Sequence, residues 1–303
     1  SQLFWFAQQV NNERKTSISA VLTADIVLNQ NLLNKDGTLN SGSALTEWTP
    51  IGNGSNHYTG TFDGNNHTIS GLYFNDENTD YVGLFSWNSG TIKNIGIIAS
   101  YFSGKGYVGG VCGKNNDTIE NSYNTGSVSG SKYVGGVCGS NVYGTIENSY
   151  NTGTINGSGS YVGGVCGYNE YNRSTIGNSY NTGSVSGLGS VGGVCGSNVY
   201  GTIGNSYNTG SVSGSERVGG VCGSNYGTIQ NSYSTGLVSG SGSYVGGVCG
   251  YNSSNRTIKN SYYNNSVYSG KDVGSNYGTV TEVSGKTSEQ FASGEVAYLL
   301  GGI

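Results

Sequence analysis

The sequence predicts an all-β fold: a right-handed parallel β-helix with about three short strands in each ~27-residue coil, closed by an N-terminal helix/strand cap and a C-terminal helical cap. Three observations carry this. A pattern that begins at Tyr107 as YVGGVCGKNNDTIENSYNTGSVSGSK returns at Tyr133, Tyr161, Ser190, Arg217 and Tyr244, spaced by 26, 28, 29, 27 and 27 residues. Each unit holds three strand candidates between Gly, Asn and Ser turns, at 108–113, 118–124 and 127–129 in the first regular copy. No unit carries a helical apolar face of about ten residues, and a propeller blade needs roughly 40–50 residues.

In chain order, Leu3-Phe4-Trp5-Phe6-Ala7 reads as a short amphipathic helix, and residues 20–28 (AVLTADIVL) read as a strand. Together they predict a cap, because a bare terminal coil leaves open strand edges. A divergent copy starts at Tyr81, 26 residues before the first regular one. Length changes fall after the Cys position and before the next Tyr-Val, which marks those segments as loops. The second strand carries Glu120, Glu147, Gly177, Gly204, Gln230 and Lys259 at one position. That variety predicts an outward column, and alternation then sends Ile119, Asn121 and Tyr123 inward. The column of Asn121, Asn148, Asn178, Asn205, Asn231 and Asn260 is expected to form an amide ladder at an inner corner. Val128, Ile155, Val185, Val212, Val238 and Val267 form an apolar column, and Val108 and Cys112 lead two more. Residues 288–300 (SEQFASGEVAYLL) read as the C-terminal cap. The chain thus divides into cap and leader coils at 1–80, regular repeats at 81–270, and a last coil with cap at 271–303.

Composition limits the function classes. The chain has 55 Gly, 24 Tyr, six Cys and one Pro among 303 residues, with a net charge of −4. There is no G-X-Y period, which excludes collagen. The fixed register of Val, Ile, Tyr and Cys argues against a disordered Gly/Ser segment. No basic cluster is present, so nucleic acid is not an expected partner. No apolar run reaches the ~20 residues of a membrane span, so this segment is not expected to insert directly into a membrane. With no Met and no signal pattern at Ser1, an excised piece with its export signal upstream is expected.

Candidate chemistry is sparse. Cys112, Cys138, Cys166, Cys195, Cys222 and Cys249 occupy one position per coil and should stack at ~4.8 Å, within disulfide range. Three vertical bridges and a reduced ladder of small buried fillers both remain open. No CxxC pair occurs, and His57 and His67 lie in the leader, so no metal centre or cofactor is expected apart from Asp76, Glu77 and Asp80, a candidate Ca²⁺ loop or a solvated acidic turn. Two convergent carboxylates for glycan cleavage are missing from the repeats. Tyr143, Tyr168, Tyr171, Tyr200, Tyr226 and Tyr251 lie in loops beyond the Cys strand. Exposed Tyr beside Asn and Ser suits sugar stacking or polar protein contact, and β-propensity and edge packing would also place Tyr there.

The segment Val108-Gly109-Gly110-Val111-Cys112-Gly113, followed by Gly-Thr-Ile-x-Asn-Ser-Tyr-Asn-Thr-Gly as in 144–153, resembles the GLUG repeat of bacterial surface proteins. These include regions neighbouring IgA-specific metallopeptidases and filamentous-haemagglutinin-like adhesins. The leader (WTPIG at 48–52, FDGNNHTISGL at 62–72) and the 288–300 segment are similar to the flanks of such repeats. The chain departs in placing Cys where an aliphatic residue is common, and it contains no HExxH. The resemblance implies a secreted or cell-surface, non-catalytic adhesin segment whose partners are glycans or surface proteins of a host or neighbouring cell. Rival expectations are a structural stalk, a self-associating filament subunit, an ice-binding solenoid and a polysaccharide-cleaving β-helix. Ice binding is disfavoured here because the Thr columns read as interrupted by Glu, Lys and Asn.

Overall fold

The computed structural model describes residues 2–40, 42 and 44–301. It is a parallel β-solenoid of about eight turns with short terminal helices. Every pairing between named strands is parallel and joins one coil to the next: Cys112 to Cys138, Ile119 to Ile146, Val128 to Ile155. Two sheets result. One collects Cys112–Asn115, Thr118–Glu120 and Tyr123–Asn124 with their copies, and the other collects Gly106–Gly109 and Ser127–Gly135 with theirs.

The core is a set of stacked columns. Ile92, Ile119, Ile146, Ile176, Ile203, Ile229 and Ile258 are buried, as are Phe102, Val128, Ile155, Val185, Val212 and Val238. Each such side chain withdrawn from water contributes about 1.5–3 kcal/mol. Close approach of the walls sets the glycines: a Cβ on Gly139 would meet the backbone of Tyr107 and Val108, and one on Gly153 would sit on the Gly126 carbonyl.

The coil has more corners than the sequence suggested. The 108–113 strand breaks at Gly110–Val111 into Gly106–Gly109 and Cys112–Asn115. The 118–124 strand breaks at Asn121, whose φ of 48° is left-handed. Asn tolerates that conformation better than most residues. This corner resets the side-chain alternation, so the Asn121 column points outward, and inward positions fall instead to Ser122 and Asn124, both fully buried. Tyr123, expected inside, lies half-buried on the outer wall.

The outer Asn121 column still forms part of the expected amide ladder, Asn260 donating to Asn231 at 2.8 Å and Asn231 to Asn205 at 3.2 Å, while the interior ladders run on other asparagines. Asn88, Asn115, Asn141, Asn169, Asn198, Asn225, Asn252 and Asn276 hydrogen-bond in series, each Nδ2 donating to the next Oδ1 at 2.7–3.0 Å. A second series joins Asn124, Asn151, Asn181 and Asn208 at 2.8 Å. Between them, Ser149 Oγ accepts from the Ser122 amide at 3.2 Å, and this repeats up the stack. These bonds satisfy polar groups that burial would otherwise leave unpaired.

Two further expectations change. Val267 is 41% exposed in a turn, so the apolar column ends at Val238. The Thr column is unbroken, running in register through Thr61, Thr91, Thr118, Thr145, Thr175, Thr202, Thr228, Thr257 and Thr279. The charged interruptions belong to the column two positions further on, at Lys93, Glu120, Glu147 and Lys259.

Helix α1 (Gln2–Asn11) buries Leu3, Phe6, Ala7 and Val10 on one face. Phe6 packs on Tyr58 and Phe62, and Phe4 packs on Trp48, closing the N-terminal core. The 20–28 segment forms two strands, Ala20–Val21 and Ile26–Val27. At the other end α2 (Ser288–Ala292) and α3 (Glu295–Leu299) follow a capping box between Thr287 and Gln290. Phe291 reaches back to Tyr233.

Candidate functional site

The outer wall carries the aromatic side chains in lanes. Tyr81, Tyr107, Tyr133 and Tyr161 open their coils with φ between 54° and 65°. Non-Gly residues adopt this conformation only when their surroundings enforce it. Here in-register pairing of the flanking strands enforces it, and the rings stack along the axis. Their centroids lie 4.6, 4.5 and 5.3 Å apart. Trp87 extends the lane below Tyr81, and His57 stacks on Trp87 at 3.9 Å and 11°. Tyr168 joins at the upper end against both Tyr133 and Tyr161.

Two cations sit on this lane. Lys114 Nζ is 3.8 Å from the Trp87 ring centre, and Lys132 Nζ is 4.5 Å from that of Tyr133. Such contacts contribute about 0.5–2 kcal/mol each. Burial pulls the Lys114 ammonium below its usual range, and burial together with neighbouring Tyr133 pushes the Tyr107 phenol up to about 12. Burial, and then the Glu170 carboxylate, raises Tyr168. The lane therefore combines neutral phenols with lysine ammonium groups on one outer surface.

The six loop tyrosines fall in three places. Tyr168 belongs to the lane just described. Tyr226 and Tyr251 gather around Arg217, which donates to the Tyr226 hydroxyl at 3.1 Å and lies 4.7 Å from the Tyr251 ring. Tyr143, Tyr171 and Tyr200 occupy a separate left-handed corner and are 53%, 38% and 55% exposed. Tyr143 and Tyr171 stack at 4.2 Å and 5°, and Arg256 covers Tyr200 at 4.6 Å. Trp87, Lys114, Lys132 and Arg217 escaped the sequence reading. The available signal was register, since Lys114 pairs with Trp87 at the outward position that Tyr168 and Tyr251 also occupy.

A second lane follows the Asn121 corner. Tyr123, Tyr150, Tyr180, Tyr207 and Tyr233 stack at 4.7, 4.7, 4.8 and 5.0 Å with ring planes within 2–5° of parallel.

Of the other candidates, Asp80 adjoins the first lane, directly preceding Tyr81, and its carboxylate adds to burial in raising that phenol. Asp76 spends Oδ1 on the Asn78 amide and Oδ2 on the Thr79 hydroxyl, capping its own turn, and the Thr79 bond holds its carboxyl below the usual range. Among the described residues no three His, Cys, Asp or Glu side chains converge as a metal site. All six cysteines are buried free thiols, each donating to the carbonyl two residues on, as Cys112 does to Lys114 at 3.0 Å. Burial pushes the Cys138, Cys195 and Cys249 thiols up. Among the described residues no helix is long and apolar enough to cross a membrane.

Comparison with known proteins follows the same lines. Residues 104–129, 130–156 and 158–186 each match the GLUG motif. The fold matches a crystal structure described as a "putative immunoglobulin A1 protease" from Bacteroides ovatus, with a TM-score of 0.60 and 25% identity over 96% of this chain and 86% of that one. A stretch of 100 residues is 36% identical to halomucin of Haloquadratum walsbyi, covering 32% of this chain and 1% of that protein. Another of 79 residues is 36% identical to a "putative Gly-rich membrane protein" of Evansella cellulosilytica, covering 24% and 9%. The chain thus spans a small fraction of these two curated relatives.

Proposed function

We propose that this chain, a β-solenoid built on GLUG repeats, is a rigid contact module of a secreted or cell-surface adhesin. GLUG repeats on a parallel solenoid fit a surface-associated repeat protein. The observation that carries the finer reading is the continuous aromatic lane from His57 to Tyr168, with Lys114 and Lys132 seated on its rings. A rigid row of rings, hydroxyls and ammonium groups loses little conformational entropy on binding. Its chemistry suits sugar faces and polar protein surfaces, the contacts expected of a non-catalytic binding module.

The test is an array of glycans with host matrix proteins beside them, probed with the folded chain. Binding that falls at least about tenfold in Tyr168→Ala and Tyr133→Ala variants supports adhesion through the lane, a loss of about 1.4 kcal/mol. A blank array points instead to a stalk or spacer, with recognition elsewhere in the protein.

The unbroken rank of nine threonines favours a second reading, contact with a flat periodic surface such as ice. Thermal hysteresis in dilute solution would support it, and its absence removes it.

A further inference from the structure

We propose that the outer tyrosine ladders are sites of oxidative cross-linking. A one-electron oxidant joins Tyr143 to Tyr171, and neighbours along the Tyr123–Tyr233 column, by carbon–carbon bonds between their rings. The geometry for it exists before any reaction. Tyr143 and Tyr171 are 53% and 38% exposed, and their rings lie 4.2 Å apart and 5° from parallel. In the column, four successive contacts of 4.7–5.0 Å have interplanar angles of 5° or less. Along the column, in-register strands hold each ring over its counterpart in the next coil. Reacting atoms held near contact convert a bimolecular coupling into an intramolecular one.

The chemistry balances as follows. Each phenol gives up one electron and one proton, leaving a tyrosyl radical. Two radicals pair their ring carbons ortho to oxygen, forming one C–C bond. The hydrogen on each coupled carbon then moves to its own oxygen, restoring two phenols. Overall two C–H bonds are replaced by one C–C bond, and two electrons and two protons leave. Hydrogen peroxide acting through a haem peroxidase accepts both and becomes water.

The consequence is a covalent staple between coils in a chain whose thiols cannot easily supply one. All six cysteines are fully buried, whereas the Tyr143–Tyr171 pair faces solvent and links positions 28 residues apart. A cross-link of that span restricts the unfolded chain much as a disulfide does.

Other pairs serve as internal controls. Tyr73 and Tyr101 lie 6.1 Å apart at 28°, and Tyr226 and Tyr251 lie 5.7 Å apart at 44°. The folded chain, dilute, is treated with peroxidase and hydrogen peroxide, and linked peptides are mapped by mass spectrometry alongside dityrosine fluorescence. The expected result is intact-chain mass falling by two hydrogens per bond, with Tyr143–Tyr171 linked first and the column next. Both should exceed the control pairs by about tenfold. Tyr171→Phe should remove the first link, keep the column links and leave the circular dichroism unchanged. Urea-unfolded chain should lose the selection. Links spread evenly over all tyrosines, links only between chains, no links, or the same map from folded and unfolded chain would each overturn the proposal.

Discussion

Asn169 is the residue on which the interior order of a middle coil turns. Its side chain donates to Asn198 Oδ1 at 2.8 Å and to the Ser174 carbonyl, and it accepts from Asn141. Truncating it to Ala removes the ladder contact on both sides, and each buried group left unpaired costs about 1–3 kcal/mol. Asn169→Ala should lower the unfolding free energy measured in urea by that amount, whereas Asn178→Ala, at an exposed outer corner, should cost far less. The thiols give a second expectation. All six are free and fully buried, so a soluble disulfide reagent should titrate none of them in the native chain and all six in urea. Both asparagine columns were visible as repeated letters in the sequence. Which one faced inward was not, because the answer depends on the left-handed φ at Asn121 and its copies, and no propensity read from one strand reports a corner.

Four aspartates of the leader coils share one electrostatic feature. Asp25, Asp36, Asp63 and Asp76 all hold their carboxyls below the usual range. The causes are, in turn, the Thr68 backbone amide, the Thr38 side chain, the Asn94 side chain and the Thr79 side chain. A depressed folded-state pKa favours folding above the ordinary carboxylate value of 3.8, and that contribution disappears as pH falls through the lowered value. All four of these aspartates lie in the leader, between residues 25 and 76. Acidification to about pH 3 should therefore open residues 20–80 before the regular coils, with hydrogen exchange rising there first. Uniform exchange along the chain would contradict this. Cap existence was legible from apolar spacing around Leu3, Phe6, Ala7 and Val10. The division of the 20–28 strand was not, since Thr23 to Asp25 turn in order to let Asp25 cap Thr68 across the coil.

Over the whole molecule, each coil touches chiefly its two neighbours, so stability accumulates as a nearest-neighbour sum. Removing residues 190–216 brings Gly189 to Arg217, which already occupies the register position of Ser190. That variant should fold with unchanged circular dichroism per residue, and its largest dimension by small-angle scattering should shrink by about 4.8 Å. An unfolded product would mean that the coils are not interchangeable. The fold was legible because a 26–29-residue period leaves few architectures open. The aromatic lanes were only half legible: the sequence supplied the tyrosines, but stacking of Trp87 with His57 and Tyr81 requires the coils to be wound first.

The in-register ladders also bear on inheritance. SYNTGSVSG occurs identically at 122–130, 179–187 and 206–214, and CGSNVYGTI at 138–146 and 195–203. Such tracts invite misalignment when DNA is copied or recombined. Ordinarily a gain or loss of some 27 codons ruins a protein, but here the severed ladders meet partners of the same kind. The length of the solenoid is thus a trait that one unequal crossover can extend or shorten by a whole coil while the reading frame, the core and both caps survive.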